Sequence, residues 1–99
     1  MTLKHARHDL DPVIHSPVRF SIMAVLVAID ECEFSSLRET VELSDSSLSQ
    51  NVTTLEKSDY VTVSKRQVGR RTHTWISATP TGIAAFARHL ETLRAIAGI

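Results

Sequence analysis

Residues 44–60, SDSSLSQNVTTLEKSDY, and residues 61–77, VTVSKRQVGRRTHTWIS, decide the fold of this chain. The first segment predicts a helix, because its apolar residues recur at the spacing of one helical face, at Leu48, Val52 and Leu55. The second segment is rich in β-branched residues and alternates in polarity on both sides of Gly69, which predicts a hairpin that turns at the glycine. We therefore expect a helix that leads directly into a two-stranded ribbon.

The outward face of the predicted helix is made of hydroxyl and amide side chains. Serine and threonine are weak helix formers, since their hydroxyls compete for backbone hydrogen bonds. Short donors and acceptors, however, let a helix approach the base edges of a DNA major groove closely. The residues assigned to this contact are Ser46, Ser47, Ser49, Gln50, Thr53 and Thr54. A merely solvated polar face is the alternative interpretation of the helix taken alone.

The predicted hairpin is basic. No acidic residue occurs from residue 61 to residue 78, whereas Lys65, Arg66, Arg70 and Arg71 do. Arginines at a tight turn can lie along the phosphates or enter a narrow minor groove. His73 either adds a phosphate contact or lies on the surface. A polar helix followed by a basic ribbon predicts a protein that binds duplex DNA.

The charge distribution of the whole chain is segregated. The 99 residues include 11 basic and 11 acidic side chains, so the net charge is 0, which taken alone disfavours a nucleic-acid partner. Acidic side chains gather between residues 30 and 45, however, whereas the basic ones concentrate after Lys57. Such segregation predicts a local positive face on a neutral molecule of one domain.

Cysteine content and hydropathy narrow the class further. Cys32 is the only cysteine, which excludes an internal disulfide and a cysteine-based zinc site, and its acidic neighbours favour a buried or inert thiol over a redox sensor. No apolar run is long enough to cross a bilayer, and charged residues interrupt the N-terminus where a signal peptide would be apolar. We therefore expect a cytoplasmic protein that needs no metal and no cofactor.

Capping residues predict where the helices begin and end. Ser16 and Pro17 predict the start of a helix that runs to about Asp30 and is apolar on almost every side. Such a helix is either the central helix of the domain or part of a subunit interface. Before it, a loose arm and a short helix are expected, the latter with the apolar residues Leu10, Val13 and Ile14.

Three more helices are expected downstream. Ser35 or Ser36 caps the first of them, and Ser44 caps the helix of residues 44–60. Thr79 and Pro80 begin the last helix, and Gly98 is expected to end it, because the residue that follows a helix often has the left-handed backbone that glycine adopts easily.

The predicted fold is mainly α with a small β-hairpin (α+β). It is a winged helix-turn-helix, with a three-helix core, a two-stranded wing and terminal dimerisation helices. All 99 residues form one domain, in which residues 1–15 are the arm and short helix, 34–60 the helix-turn-helix, 61–78 the wing and 79–98 the last helix.

The chain resembles the short MarR/ArsR-like winged-helix transcriptional regulators from about residue 10 to residue 98. The resemblance is carried by SDSSLSQNVTTLEKSDYV (44–61), GRRTHTW (69–75), ATPTG (78–82) and, before the central helix, HSPVRFSI (15–22). Such proteins are homodimers whose terminal helices intertwine and whose recognition helices enter successive major grooves. The resemblance implies a transcriptional regulator, with repression as the expected mode. It implies DNA contacts from Ser46, Ser47, Ser49, Gln50, Thr53, Arg70 and Arg71.

Two departures from the family pattern are informative. The recognition helix lacks the Arg or His often found on its outer face, which implies modest or water-mediated base specificity. Asp59 stands where glycine is common at the helix exit, and aspartate tolerates the left-handed backbone that this position often needs.

An excess of apolar surface predicts a homodimer. The last helix carries an apolar stripe that a core of this size can only partly cover. The residues assigned to the dimer contact are Leu10, Val13, Ile14, Ile83, Phe86, Leu90, Leu93 and Ile96. A dimer implies a pseudo-palindromic duplex as the partner.

Two other functions compete with DNA binding. A divalent metal could be held by His5, His8, His15, Asp9 and Asp11, but the predicted arm gives these residues no rigid scaffold. The sequence also shows no pair of a nucleophile and a base that would indicate an enzyme. His89 is expected at the surface. A winged-helix module that binds protein instead of DNA is the stronger alternative, because the net charge is zero and residues 30–45 are acidic.

Overall fold

Residues 4–99, which the computed structural model describes, form four α-helices, one 3-10 helix and three strands. In chain order these are the 3-10 helix Ala6–Asp9, α1 Pro17–Ile29, β1 Glu31–Glu33, α2 Phe34–Thr40, α3 Asp45–Lys57, β2 Val61–Val68, β3 Arg71–Ala78 and α4 Pro80–Ala97.

Side-chain caps begin three of the helices at the predicted residues. The hydroxyl of Ser16 accepts the Arg19 N–H at 3.3 Å, that of Ser44 accepts the Ser47 N–H at 3.2 Å, and that of Thr79 accepts the Gly82 N–H at 2.9 Å. Each hydroxyl satisfies a backbone donor that has no partner inside its own helix. At the other end of α4, Gly98 is left-handed with φ 76°, as predicted.

The cap predicted for α2 is wrong. This helix begins at Phe34, with Glu33 at the cap position and without a side-chain cap, so Ser35 and Ser36 lie inside the helix. The reason is that the chain enters α2 directly from β1, whose pairing with β3 already fixes the backbone.

The structure adds a third strand, β1, which was not predicted, to the predicted two-stranded wing. β1 pairs antiparallel with β3, in the register Cys32 with Ile76, and the sheet order is β1-β3-β2. On its other side, the whole of β3 pairs with β2 along the hairpin, as predicted. Both carboxylates of β1 lie on the same sheet face as Trp75, because Glu33 is opposite Trp75 and side chains alternate between faces.

The core lies between the helices and the inner face of the sheet. The α3 residues predicted to face inward are buried, and α1 buries Ile22, Met23 and Leu26 against them, so α1 is the central helix. Ile29 at the end of α1 remains exposed. Cys32 is buried as predicted, and burial raises the pKa of its thiol, with Glu33 adding to the effect.

The N-terminal segment differs from the prediction. Residues 1–3 of the predicted arm lie outside the described residues, and the 3-10 helix that follows packs against α4. Residues 12–14 form a turn rather than a helix, since the Asp11 carboxylate accepts the N–H groups of Val13 and Ile14 at 2.9 and 3.4 Å. Ile14 is 0% exposed and Phe86 is also buried, so both assigned dimer residues belong to the core of their own chain.

Candidate nucleic-acid interface

The exposed face of α3 carries the predicted DNA-contacting side chains. Leu48, Val52 and Leu55 anchor the opposite face in the core. Ser46, Ser49, Gln50 and Thr53 are exposed, while Ser47 and Thr54 are half-buried.

Intrahelical hydrogen bonds divide these polar groups into two kinds. The hydroxyls of Thr53 and Thr54 donate to the carbonyls of Ser49 and Gln50 at 2.9 and 3.2 Å, so they retain only acceptor capacity. The side chains of Ser49 and Gln50 make no hydrogen bond within residues 4–99, which leaves their donors available to a ligand.

The wing tip presents uncompensated positive charge. Lys65, Arg70 and Arg71 are exposed and form no salt bridge with another described residue. Gly69 makes the turn with φ 62°, a left-handed conformation that favours glycine. Val68 is also exposed beside it, so the tip combines two guanidinium groups with a small apolar contact.

Arg66 differs from the other wing cations because β1 binds it. Its guanidinium donates to both carboxylate oxygens of Glu31 at 2.7 and 3.1 Å, and lies 4.8 Å from the centre of the Trp75 ring. The hydrogen bond from Arg66 lowers the pKa of the Glu31 carboxyl. The predicted phosphate contact of Arg66 is therefore opposed by an internal partner.

His73 is likewise paired within the chain. Its Nδ1 lies 3.0 Å from a carboxylate oxygen of Glu33, and the hydrogen bonds from His73 and Ser35 lower the pKa of the Glu33 carboxyl. A surface position was one of the two options predicted for His73. In the structure its side chain is half-buried beside β1 and is not free.

Comparison with known proteins identifies the fold and the family. The family described as "Winged helix DNA-binding domain" matches residues 18–97. The chain belongs to this family. It is 32% identical over 78 residues, 79% of this chain and 85% of the relative, to the uncharacterized protein MJ0432 of Methanocaldococcus jannaschii.

Solved structures resemble this winged-helix domain along most of its length. The transcriptional regulator homologue protein from Pyrococcus horikoshii OT3 has a TM-score of 0.81 and 26% identity, with 87% of this chain and 85% of that one covered. A MarR-family transcriptional regulator from Silicibacter pomeroyi has a TM-score of 0.67 and 22% identity, with 94% and 62% covered. The predicted resemblance to MarR-like winged-helix regulators is confirmed. The predicted helix-turn-helix corresponds to α2 and α3, the predicted recognition helix to α3, and the predicted wing to β2 and β3.

Asp59 joins the recognition helix to the wing of this domain. Its φ is 61°, so it adopts the left-handed backbone that the sequence departure predicted. The next residue, Tyr60, donates its hydroxyl to the Asp11 carboxylate at 2.5 Å, and burial together with this hydrogen bond raises the pKa of Tyr60 to about 12.

The prediction that His89 lies at the surface is wrong. His89 is 2% exposed, and its Nδ1 accepts the Asp11 N–H at 3.2 Å, with the rings of His15 and Phe20 nearby. Burial, followed by the neighbouring His15, lowers the pKa of His89. Sequence periodicity could have placed His89 on the buried face, because it lies three residues after Phe86.

A contact between one residue of α1 and one residue of the recognition helix was not predicted from the sequence. Arg19 donates to the Asn51 side-chain oxygen at 3.1 Å, and the Asn51 amide donates to the Ser47 carbonyl at 2.8 Å. Arg19 is the only charged residue in a helix that is apolar apart from Ser21, which signals that Arg19 needs a partner.

Neither a metal cluster nor a membrane-spanning helix is seen in the described part of the chain. Within residues 4–99, no three or more His, Cys, Asp or Glu side chains come together as metal ligands would. The same residues contain no helix with the length and apolar character needed to cross a bilayer.

Proposed function

We propose that this domain is a homodimeric, sequence-specific regulator of transcription that binds duplex DNA. The observation that carries the proposal is that an exposed polar face of α3 and exposed wing cations without an ion-pair partner among the described residues occur together on a winged-helix DNA-binding fold, with Lys65 lining the same groove as Ser49 and Thr53. Repression is the simplest consequence, since a dimer seated on a promoter excludes other proteins from it.

The recognition helix supplies base contacts in this proposal. Gln50 can pair with the N6 and N7 edge of adenine, and the Ser49 hydroxyl can donate to or accept from base edges in the major groove. The Thr53 methyl can contact a thymine methyl. Ser46 and Ser47 lie in the first turn of α3, where helix N-termini bind phosphate oxygens. Short uncharged side chains make the specificity modest, with water carrying part of it.

The wing supplies phosphate contacts in this proposal. Arg70 and Arg71 reach the backbone or a narrow minor groove, and Lys65 adds a charge along β2. Arg66 serves the wing indirectly, because its ion pair with Glu31 holds β2 against the rest of the sheet.

The apolar stripe on α4 supports the homodimer. Ile83 is 42% exposed and Ile96 39% exposed, and the half-buried Leu90 and Leu93 continue the same stripe. Of the residues assigned near the N-terminus, Leu10 and Val13 are half-buried and keep some surface for a partner. Pairing these surfaces in a second copy places two recognition helices about one DNA turn apart, which requires a pseudo-palindromic operator.

Glutamate substitutions on the stripe test the dimer. Ile83→Glu with Ile96→Glu is expected to give a monomer in analytical ultracentrifugation at micromolar concentration, because an unpaired charge would be buried at the interface. Ala84→Glu with Ala95→Glu, at exposed positions on the opposite face of the same helix, is the matched control. A wild-type protein that is already monomeric would overturn this part of the proposal.

A selection from random duplexes followed by a salt titration tests DNA binding. The expected result is an enriched palindrome whose affinity falls steeply with salt as counterions are released. Arg70→Ala with Arg71→Ala should weaken binding and lower the salt slope by about 1 for each phosphate group that the variant no longer binds.

The matched control for the wing variant is Arg7→Ala with Arg88→Ala, which removes the same charge from exposed positions outside the wing. An equal decrease in affinity in both double variants would show only an effect of net charge and would contradict the wing contact. If no duplex is enriched, and any residual DNA binding is insensitive to salt, the proposed DNA binding is wrong. The alternative is then the protein-binding module suggested by the acidic segment 30–45.

A further inference from the structure

Arg19 connects two elements that lie far apart in the chain. Its Nε donates to the Val13 carbonyl at 2.5 Å, and its Nη1 donates to the Asn51 side-chain oxygen at 3.1 Å. The side chain is half-buried, so both acceptors would be left without a partner in a poorly hydrated place if it were shortened. One planar guanidinium thus joins the N-terminal turn to the recognition helix.

Asn51 receives this contact on the recognition helix itself. Its amide nitrogen donates to the Ser47 carbonyl at 2.8 Å while its oxygen accepts from Arg19, so both ends of the side chain are held. Gln50 and Ser47, which flank this contact along α3, belong to the face proposed to meet DNA. The rotation of α3 about its axis is therefore set partly by Arg19.

The other end of the connection reaches α4. Val13 donates its N–H to the Asp11 carboxylate at 2.9 Å, and the Asp11 N–H donates to His89 Nδ1 at 3.2 Å. Tyr60, at the exit of the recognition helix, binds the second carboxylate oxygen of Asp11. A continuous series of hydrogen bonds therefore runs from α4, through the N-terminal turn and Arg19, to Asn51.

We propose that Arg19 is a positioning residue for DNA recognition, which holds the base-reading face of α3 in a fixed orientation relative to α4. The inference rests on the proposed DNA-binding function and adds to it the physical link between the proposed dimer helix and the recognition helix. A lysine cannot replace Arg19, because an ammonium is a point donor whereas the guanidinium fork directs two N–H groups to two separate acceptors.

A double-mutant cycle with Arg19→Lys and Asn51→Ala tests the proposal on the full chain. Each single variant is expected to bind the selected duplex about tenfold more weakly, and the double variant no more weakly than the worse single one, because both remove one shared interaction. In the charge-removing variant Arg19→Gln the salt slope should stay at the wild-type value, since Arg19 keeps its distance from phosphates in this proposal. Arg7→Lys is the matched control and should bind as the wild type does.

Urea unfolding of the same variants separates positioning from stability. Binding is measured only where each variant is folded, and Asn51→Ala keeps the Arg19 bond to Val13 in case Arg19→Lys does not fold. Coupling between the two residues that appears in unfolding but not in binding would overturn the inference. So would additive decreases in binding, which would mean that Asn51 contacts DNA on its own account.

Failure of the inference is distinguishable from failure of the proposed function. If Arg19→Lys binds normally while Arg70→Ala with Arg71→Ala binds weakly, DNA binding stands and the positioning role falls. If the charge-removing variant Arg19→Gln lowers the salt slope by about 1, Arg19 is a phosphate contact and the inference is wrong. If the wild-type protein binds no duplex, the proposed function itself fails, and the inference with it.

Discussion

Replacing Gly82 with alanine is expected to loosen the junction between α4 and the corner that ends the recognition helix. Gly82 is buried in the first turn of α4, directly against the backbone of Tyr60. A Cβ at this position would lie 2.1 Å from the Tyr60 oxygen and 2.8 Å from its carbonyl carbon. Both atoms belong to the main chain, so no flexible side chain can move out of the way.

The size of the effect follows from this geometry. Ordinary contact begins at 3.4 Å, so the Tyr60 carbonyl must retreat by about 1.3 Å, although it also accepts the Thr79 N–H at 3.0 Å. Overpacking of this kind costs about 1–3 kcal/mol. Weakening the hydrogen bond costs about 1 kcal/mol more, whereas alanine recovers about 1 kcal/mol in helix propensity. The net destabilisation is about 2 kcal/mol, which lowers the melting temperature of a domain this small by roughly 10 °C.

Urea and thermal unfolding followed by circular dichroism measure this destabilisation, with Gly98→Ala as the matched control. Gly98 has a φ of 76° but no atom within 4 Å of an added Cβ, so the control isolates backbone strain of about 1 kcal/mol. The reasoning is refuted if Gly82→Ala unfolds within about 0.5 kcal/mol of the wild type, or if it is no less stable than Gly98→Ala. Either result would show that the junction yields without cost.

Three further perturbations address the backbone, the buried imidazole and the thiol. Asp30→Gly should stabilise the domain by roughly 0.5–1 kcal/mol in urea unfolding, because φ 69° with ψ −53° is a strained conformation for aspartate. The pKa of His89 is lowered in the folded state, so the unfolded state takes up the proton first as the pH falls through 6.5. The free energy of unfolding should therefore decrease below that pH, and the decrease should be smaller in His89→Gln. Cys32 should react with a thiol reagent only in step with unfolding, and a fast reaction under native conditions would contradict its burial.

Sequence alone predicted those parts of the fold that depend on local chemistry. The caps at Ser16, Ser44 and Thr79 satisfy donors within three residues, so the sequence pattern contains both partners. The inward face of the recognition helix likewise follows from spacing alone. The polar face proposed for DNA was found for the same reason, since its exposure is the complement of that buried stripe.

Contacts between distant segments could not be predicted in this way. Three residues, Glu31–Glu33, are too few to give an alternation signal, so β1 was missed. Without β1, nothing indicated that Arg66 would meet a carboxylate 35 residues away. Periodicity was enough to place His89 on the buried face of α4, but its hydrogen bond with the Asp11 N–H joins segments that are distant in the chain and could not be predicted.

The missed strand determines how much charge the wing can offer to DNA. Arg66 and His73 are paired with the two carboxylates of β1, which leaves Lys65, Arg70 and Arg71 as the uncompensated cations of the wing. Three phosphate contacts in one subunit would give a salt slope of only about −3, and two subunits about −5.

If the wing contacts phosphates as proposed, a single wing is expected to bind DNA weakly at physiological salt, because the chain has no net charge that would add long-range attraction. Two wings on one duplex bind far more tightly, because the second contact becomes intramolecular once the first has formed. In the proposed function, dimerisation through α4 and the small size of the positive patch are thus parts of one mechanism. We therefore expect that a monomeric variant such as Ile83→Glu with Ile96→Glu would no longer occupy the selected duplex at physiological salt.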